Sequence, residues 1–332
     1  MMMDCKMRTT PARLLIVGLA MSCILGITTL FSGPVHADSS KEAAYRQAVT
    51  AFGAGEYETA VAIWQSLAEE GHIAAQNNLG LAYLHGRGVK VDYEAAHKLF
   101  TAAARDGRPS AQNNLGLTYL KGWGVEKDEA EAFRWFMAAA EQGQVDAQKN
   151  VGVMLLKGQG VPKDAVAARE WFLRGAEQGE RRSFYYLGLI YKRGIGVVRD
   201  NTLATRYFRE GAARGDPGAC FMLAEALEAG KGCQVDSEQA LGWYRRAAER
   251  GHWQAMLTLA EMFRDGRQVK QNPVRAIMWF DLARRAGHPH AAAPLKELIA
   301  QVNKAEIARA EYLRDKFLEG LSPEARALFE DM

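Results

Sequence analysis

The chain reads as an all-α protein, an α-solenoid of two-helix repeats, and three observations say so. Glycine returns at positions 71, 107, 143, 179, 215, 251 and 287, a period of 36 residues without one insertion. Between those glycines apolar residues recur at i, i+4 and i+8, which lays one stripe along a helix. Aspartate or asparagine then precedes a second apolar run in every unit, and these residue types start helices. Self-similarity at such a period marks stacked helical units. With 332 residues, 48% hydrophobic and 24% charged, the chain is long enough for one extended array.

The first 37 residues have a different character. Lys6, Arg8 and Arg13 precede an uncharged run from Leu14 to Phe31, and Gly33-Pro34 leads into Val35-His36-Ala37. Small side chains at Val35 and Ala37 suit a signal peptidase cutting after Ala37, so residues 1–37 are expected to be a signal peptide and the mature protein periplasmic or secreted. The alternative is an uncleaved anchor, for which the 18 uncharged residues are barely long enough. Gly18, Ser22, Cys23, Gly26, Thr28 and Thr29 dilute that run and favour cleavage. A lipoprotein reading through Cys23 lacks the bulky aliphatic residue expected three positions earlier. No later segment has the length and apolarity of a membrane span.

With Lys6, Arg8, Arg13 and Asp4 set aside, 39 basic and 38 acidic residues remain, a net of +1. That balance argues against a bulk electrostatic grip on nucleic acid or anionic lipid. Four cysteines, two of them before residue 38, do not make a disulfide-dense scaffold. Cys220 falls in the first turn of a helix and Cys233 beyond its end. Ten intervening helical residues separate them by about 15 Å, too far for a bridge that tolerates about 7 Å. Two buried free thiols are expected.

Stacked in columns of 36, the first helix of each unit, A, carries Ala75, Ala111, Ala147, Ser183, Ala219 and Ala255, then Leu79, Leu115, Val151, Leu187, Leu223 and Leu259. Tyr83, Tyr119, Leu155, Tyr191, Leu227 and Phe263 complete the stripe. Gly80, Gly116, Gly152 and Gly188, with Ala224 and Ala260, sacrifice helix propensity in the column after the leucine, which implies a neighbouring helix pressed close. Helix A ends at pairs such as Gly122-Trp123-Gly124, where glycine takes positive φ. Asp92, Asp128, Asp164, Asp200, Asp236 and Asn272 are expected to cap a second helix, B, with Glu131 and Gln239 placed to complete capping boxes. Helix B carries alanine, then aromatic pairs such as Trp135-Phe136, Trp171-Phe172 and Trp243-Tyr244, which makes most tryptophans mortar between repeats.

The pattern A-x-x-x-L-G-x-x-Y, G-x-G-V-x-x-D and A-x-x-W-F-x-x-A-A-x-x-G resembles the Sel-one-like repeat, a cousin of the tetratricopeptide repeat. The resemblance implies a right-handed superhelix. Six complete copies fill 72–287, a divergent N-terminal capping repeat occupies 38–71, and C-terminal capping helices occupy 288–332. There Ala291, Leu295 and Ile299 continue the columns briefly, followed by charged helices from Lys304 to Leu318 and from Ser322 as N-cap with Pro323 at its first position. Two copies depart from the pattern. The fifth has Cys233 where the others have valine, and the sixth has Gln268 in place of the second loop glycine, so a different loop is expected there.

Catalytic chemistry has little footing. The G-x-G loops follow helices, whereas a dinucleotide site needs a strand before its glycines. Histidines 72, 85, 97, 252, 288 and 290 occupy mostly different columns, and no serine sits in a nucleophile-elbow context. No cofactor and no metal are expected. Some cysteine-rich members of the resembled family bind or hydrolyse β-lactams, but this chain lacks their cysteine pair in each repeat.

The surface is more informative. At 100° per residue, five columns of helix A lie opposite its packed stripe. They present an aliphatic floor of Leu81, Leu117, Val153 and Leu189, amides at Asn77 and Asn113, cations at Lys121, Lys149, Lys157 and Arg193, and aromatics at Tyr185 and Phe221. These twelve residues are the candidate partner-binding set for a protein or peptide segment on the concave face, with asparagines for its main chain and cations for its carboxylates. The aliphatic columns equally suit packing of one helix A against the next. Glu225, Glu228 and Glu261 are expected to make the far end acidic. The reading is a non-enzymatic scaffold or adaptor, and the resemblance places it in the bacterial cell envelope. Its alternatives are a β-lactam-binding enzyme or a structural component of an envelope or polysaccharide-export assembly.

Overall fold

The computed structural model describes residues 35–322 and Arg326. Among them are α-helices, one short 3-10 turn and no strand. Most of the expected signal peptide lies outside the described residues, and Val35–Ala37 form the first residues of α1 (Val35–Gly53). The closing helix expected from Ser322 also lies outside them. No helix among the described residues is long and apolar enough to cross a membrane.

From residue 44 onward, two-helix units follow one another in register. α1 and α2 (Tyr57–Glu69) precede six pairs: α3 (Ile73–His85) with α4 (Tyr93–Arg105), α5 (Pro109–Lys121) with α6 (Glu129–Glu141), and α7 (Val145–Lys157) with α8 (Ala165–Glu177). Then come α9 (Arg181–Arg193) with α10 (Asn201–Ala213), α11 (Pro217–Ala229) with α12 (Ser237–Ala248), and α13 (Trp253–Asp265) with α14 (Pro273–Arg285). α15 (Ala292–Ile299) and α16 (Lys304–Glu319) follow. From α2 to α14 each helix packs on its neighbours in the chain, and α15 and α16 both pack on α14.

Local chemistry explains the boundaries. Asp92, Asp128, Asp164, Asp200, Asp236 and Asn272 each accept a hydrogen bond from the backbone N–H three residues on, as N-caps do. The capping boxes expected at Glu131 and Gln239 do not form. The Glu131 carboxylate turns to Arg134, and the Gln239 amide donates to the Asp236 side chain. The described box is instead Asn303 with Glu306, at the head of α16. Gly86, Gly122, Gly158, Gly194, Gly230 and Gly266 close the A helices in the left-handed conformation.

The glycines inside helix A have the expected packing reason. A Cβ on Gly116 would lie 2.8 Å from the Phe136 ring, and one on Gly188 2.4 Å from Phe208. The B-helix ring therefore beds directly on the A-helix backbone. Trp64, Phe100, Phe136, Phe172, Phe208, Tyr244 and Phe280 form that column, all buried. The expectation for tryptophan holds in part: Trp64 in the column and Trp279 beside Phe280 are buried between helices, whereas Trp135, Trp171 and Trp243 are half-buried beside the second residue of their pairs. Trp171 and Trp243 carry the guanidinium groups of Arg174 and Arg246 on their faces, each 4.5 Å from the ring centroid.

Three further expectations need correcting. The loop of the sixth copy keeps the common shape, because Gln268 itself adopts φ 60° where the other copies have glycine. Both thiols are free, but Cys233 is half-buried at the loop and only Cys220 is fully enclosed. Ile299 turns outward while Leu298 joins Leu295 and Ala291 in the core, because a step of seven residues returns closer to the same helix face than a step of eight.

Candidate functional site

Consecutive A helices leave a furrow between them, floored by the aromatic column of helix B. Two cavities open along it. One, about 280 Å³, is lined by Val49, Phe52, Trp64, Asn78, Leu81, His85 and Arg87. The other, about 550 Å³, includes Arg193, Phe208, Met222, Glu225, Ala229 and Lys231 in its lining. Six of the residues in each correspond at a constant offset of 144, four periods of 36: Val49 with Arg193, Trp64 with Phe208, Asn78 with Met222, Leu81 with Glu225, His85 with Ala229, Arg87 with Lys231. The furrow is one feature of the solenoid, opened at two of its stations.

Between them side chains fill the same positions. Asn114 donates to the Asn77 side-chain carbonyl and Asn150 to that of Asn113, each at 3.0 Å. Tyr186 stacks on Phe172, with ring centroids 4.8 Å apart. These contacts use residues that the columns had assigned to a partner. Asn77 and Asn113 are buried, with their carbonyls committed to the next copy. Phe221 is buried and stacked on His252, and Tyr185 is half-buried against Tyr186. Lys149 is ion-paired to Asp146 at 3.0 Å.

Other candidates stand on the open side. Leu81, Leu117, Val153 and Leu189 are half-buried, so each both packs between copies and presents a remainder to the furrow. Lys121, Lys157 and Arg193, one per copy and 36 residues apart, are exposed along its edge, and no acidic partner meets them among the described residues. The acidic far end expected from the column pattern is largely neutralised. Glu225 pairs with Lys192 at 3.0 Å, and Glu228 accepts from the Tyr244 hydroxyl at 2.7 Å and the Gln268 amide at 3.0 Å. Glu261 remains exposed.

Titratable groups away from the furrow serve packing. Three histidines share a column that the sequence reading treated as scattered: His72, His252 and His288 all precede an A-type element, and the first two accept the helix's third N–H through Nδ1. Burial, with a smaller push from Arg182, lowers His252 to about 4. Burial raises the Cys220 thiol to about 11, which holds it protonated at neutral pH. No group of acidic, histidine or cysteine side chains suited to a metal ion occurs among the described residues.

The Sel1 repeat model matches residues 73–107, 109–144, 145–180, 185–216, 217–252 and 253–288, well over half of the chain. The chain belongs to the Sel1 repeat family. This Sel1 repeat protein is similar to a Sel1 repeat protein from Oxalobacter formigenes, at 33% identity and a TM-score of 0.68, over 72% of this chain and 96% of that one. A protective antigen of uropathogenic Escherichia coli strains, displaying an SLR fold, is 25% identical over 89% of this chain and 88% of its own, with a TM-score of 0.37. No curated protein matches the chain in sequence.

Proposed function

We propose that this Sel1 repeat protein is a non-enzymatic adaptor of the bacterial cell envelope that holds a segment of a partner protein along the furrow of its A helices. The observation that carries the reading is the row of Lys121, Lys157 and Arg193, exposed and without an acidic partner among the described residues, beside the half-open Leu117, Val153 and Leu189. An isolated exposed cation costs nothing and means little. Three in phase with the repeat, flanking apolar surface, supply both the burial and the charge complementarity that peptide docking uses. The basic and apolar leader over residues 1–37 supports an extracytoplasmic location. The high thiol pKa of Cys220 speaks against a cysteine nucleophile at that position.

Site-specific photocrosslinking in cells tests it. A crosslinker at Lys121 or Lys157 should trap one discrete protein, and one at Lys98 on the exposed side of α4 should not. Leu117→Glu combined with Val153→Glu should abolish the adducts while the melting transition persists. Undiminished adducts in that variant, or equal trapping from Lys98, would rule the furrow out.

A further inference from the structure

The larger cavity has a chemical character of its own. Lys192, Arg193, Arg199 and Lys231 face two carboxylates, Glu225 and Glu228, a net of +2. Both carboxylates are already served, by Lys192 and by Tyr244 with Gln268. Three cations are left over: no hydrogen bond or ion pair engages the side chains of Arg193, Arg199 or Lys231 among the described residues. The loop that carries Lys231 is tied down, since buried Thr205 donates its hydroxyl to the Lys231 carbonyl at 2.8 Å. The wall is mixed, with Ala204, Phe208 and Ala226 buried beneath the charged rim. Asn201, at the start of α10, also lines the cavity, and its side-chain amide has no hydrogen bond among the described residues.

We propose that this cavity is a carboxylate-binding subsite of the furrow, receiving an acidic side chain or the terminal carboxylate of the partner segment. The inference rests on the docking role proposed above and names the chemistry at one of its stations. Two guanidinium forks suit a planar carboxylate, which they hold through paired N–H donors. A volume of about 550 Å³ falls in the range of ligand sites and admits a few side chains. The apolar floor takes an aliphatic residue beside the acid. The equivalent cavity four copies earlier has Val49, Leu81 and His85 where this one has Arg193, Glu225 and Ala229, so it selects for apolar surface instead. A segment lying along the furrow would therefore be apolar toward α1 and α3 and acidic toward α9 and α11.

Fluorescence anisotropy on the full folded protein tests this, with a fluorescein-labelled octapeptide of alternating glutamate and leucine ending in a free carboxylate. Its control has glutamine for glutamate and an amidated end, and inorganic phosphate is the competitor. The acidic peptide should bind at least about tenfold more tightly than the control. Arg199→Gln and Lys231→Gln should each weaken it by about tenfold, as expected for loss of one charge-assisted hydrogen bond. Both residues are exposed, and the melting temperature should not move. Equal binding of the two peptides, absence of binding, displacement by low-millimolar phosphate, or full affinity in the Arg199→Gln, Lys231→Gln double variant would each overturn the subsite. Full affinity there, with loss in the Leu117→Glu, Val153→Glu variant, would sink the subsite and leave the furrow standing. Loss in the cation variants with no effect of the leucine and valine changes would confine binding to this one cavity.

Discussion

Arg182 on α9 meets Asp216 at 3.1 Å across 34 residues, and the carboxylate it meets is fully buried at the start of α11. The other oxygen of Asp216 accepts the Ala219 N–H at 2.7 Å. One side chain thus caps a helix and fastens two copies together. Asp216→Ala removes both contacts and should cost about 2–4 kcal/mol, the sum of a lost cap and a lost charged hydrogen bond. Asp216→Asn keeps the acceptor for Ala219 and should cost less. Urea unfolding of the two variants gives the comparison: equal losses would show that the ion pair alone matters, and no loss in Asp216→Asn that the cap alone does.

The second loop glycine of the first five copies approaches the preceding B helix. At Gly124 an added Cβ would sit 2.1 Å from the Tyr93 carbonyl oxygen, so Gly124→Ala should destabilise by about 2 kcal/mol or more, through both contact and conformation. Gln268 holds the same conformation without being glycine. Gln268→Gly should stabilise by about 0.5–1 kcal/mol, less what its bond to Glu228 contributes. Thermal melts of the pair should therefore move in opposite directions.

His252 carries a pH dependence. Its folded pKa is about 4 against an ordinary 6.5, so the unfolded chain binds the extra proton first as acid is added. The stability penalty is absent above pH 6.5, grows as pH falls toward 4 and is constant below, reaching about 3 kcal/mol. Protonation also ends acceptance of the Ala255 N–H. His252→Asn, which keeps a capping side chain, should flatten the dependence of the melting temperature between pH 6.5 and 4.

The end of the array depends on Asp281, which accepts from Arg284 and Arg285 on its own helix and from Arg314 on α16. Burial on its own would raise this carboxyl's pKa, but the three arginine hydrogen bonds outweigh it and hold the value below the usual carboxylate range. A depressed carboxylate contributes stability above its unfolded pKa, and that contribution is lost as pH falls through the folded value. Asp281→Asn should loosen α16 at neutral pH by about 1–3 kcal/mol. Hydrogen exchange in Lys304–Glu319 should accelerate there, with the first three pairs unaffected.

The two thiols should differ in rate. Half-buried Cys233 should react with a thiol reagent within seconds to minutes, and enclosed Cys220, raised to about 11, only on unfolding. Unfolding the chain from Asp38 onward without reductant should expose both. Finding neither would mean a bridge that the helix between them does not permit.

Much of the architecture was readable because it is local. Asp128 is a cap through a hydrogen bond three residues away, and Gly122 ends its helix through its own φ. Gly116 announced a close neighbour by its cost in a helix, and the neighbour is the Phe136 ring. Reading the aromatic pairs was harder. Trp135 and Phe136 are adjacent, both apolar, and only the rotation of helix B against helix A decides which one is buried.

The openness of the face was not readable, for a physical reason. Periodicity lists the side chains that point away from a helix's own packed stripe, but not which of them meet solvent. Whether such a side chain ends in solvent depends on a residue about one repeat away: Asn114 closes over Asn77, and Glu225 neutralises Lys192. These are distances across helices, set by how closely each copy settles on the last. The amino-acid order dictated the helices, their caps and their period. Packing of copy on copy left Lys121, Lys157, Arg193, Arg199 and Lys231, among the described residues, as uncommitted charges along the furrow.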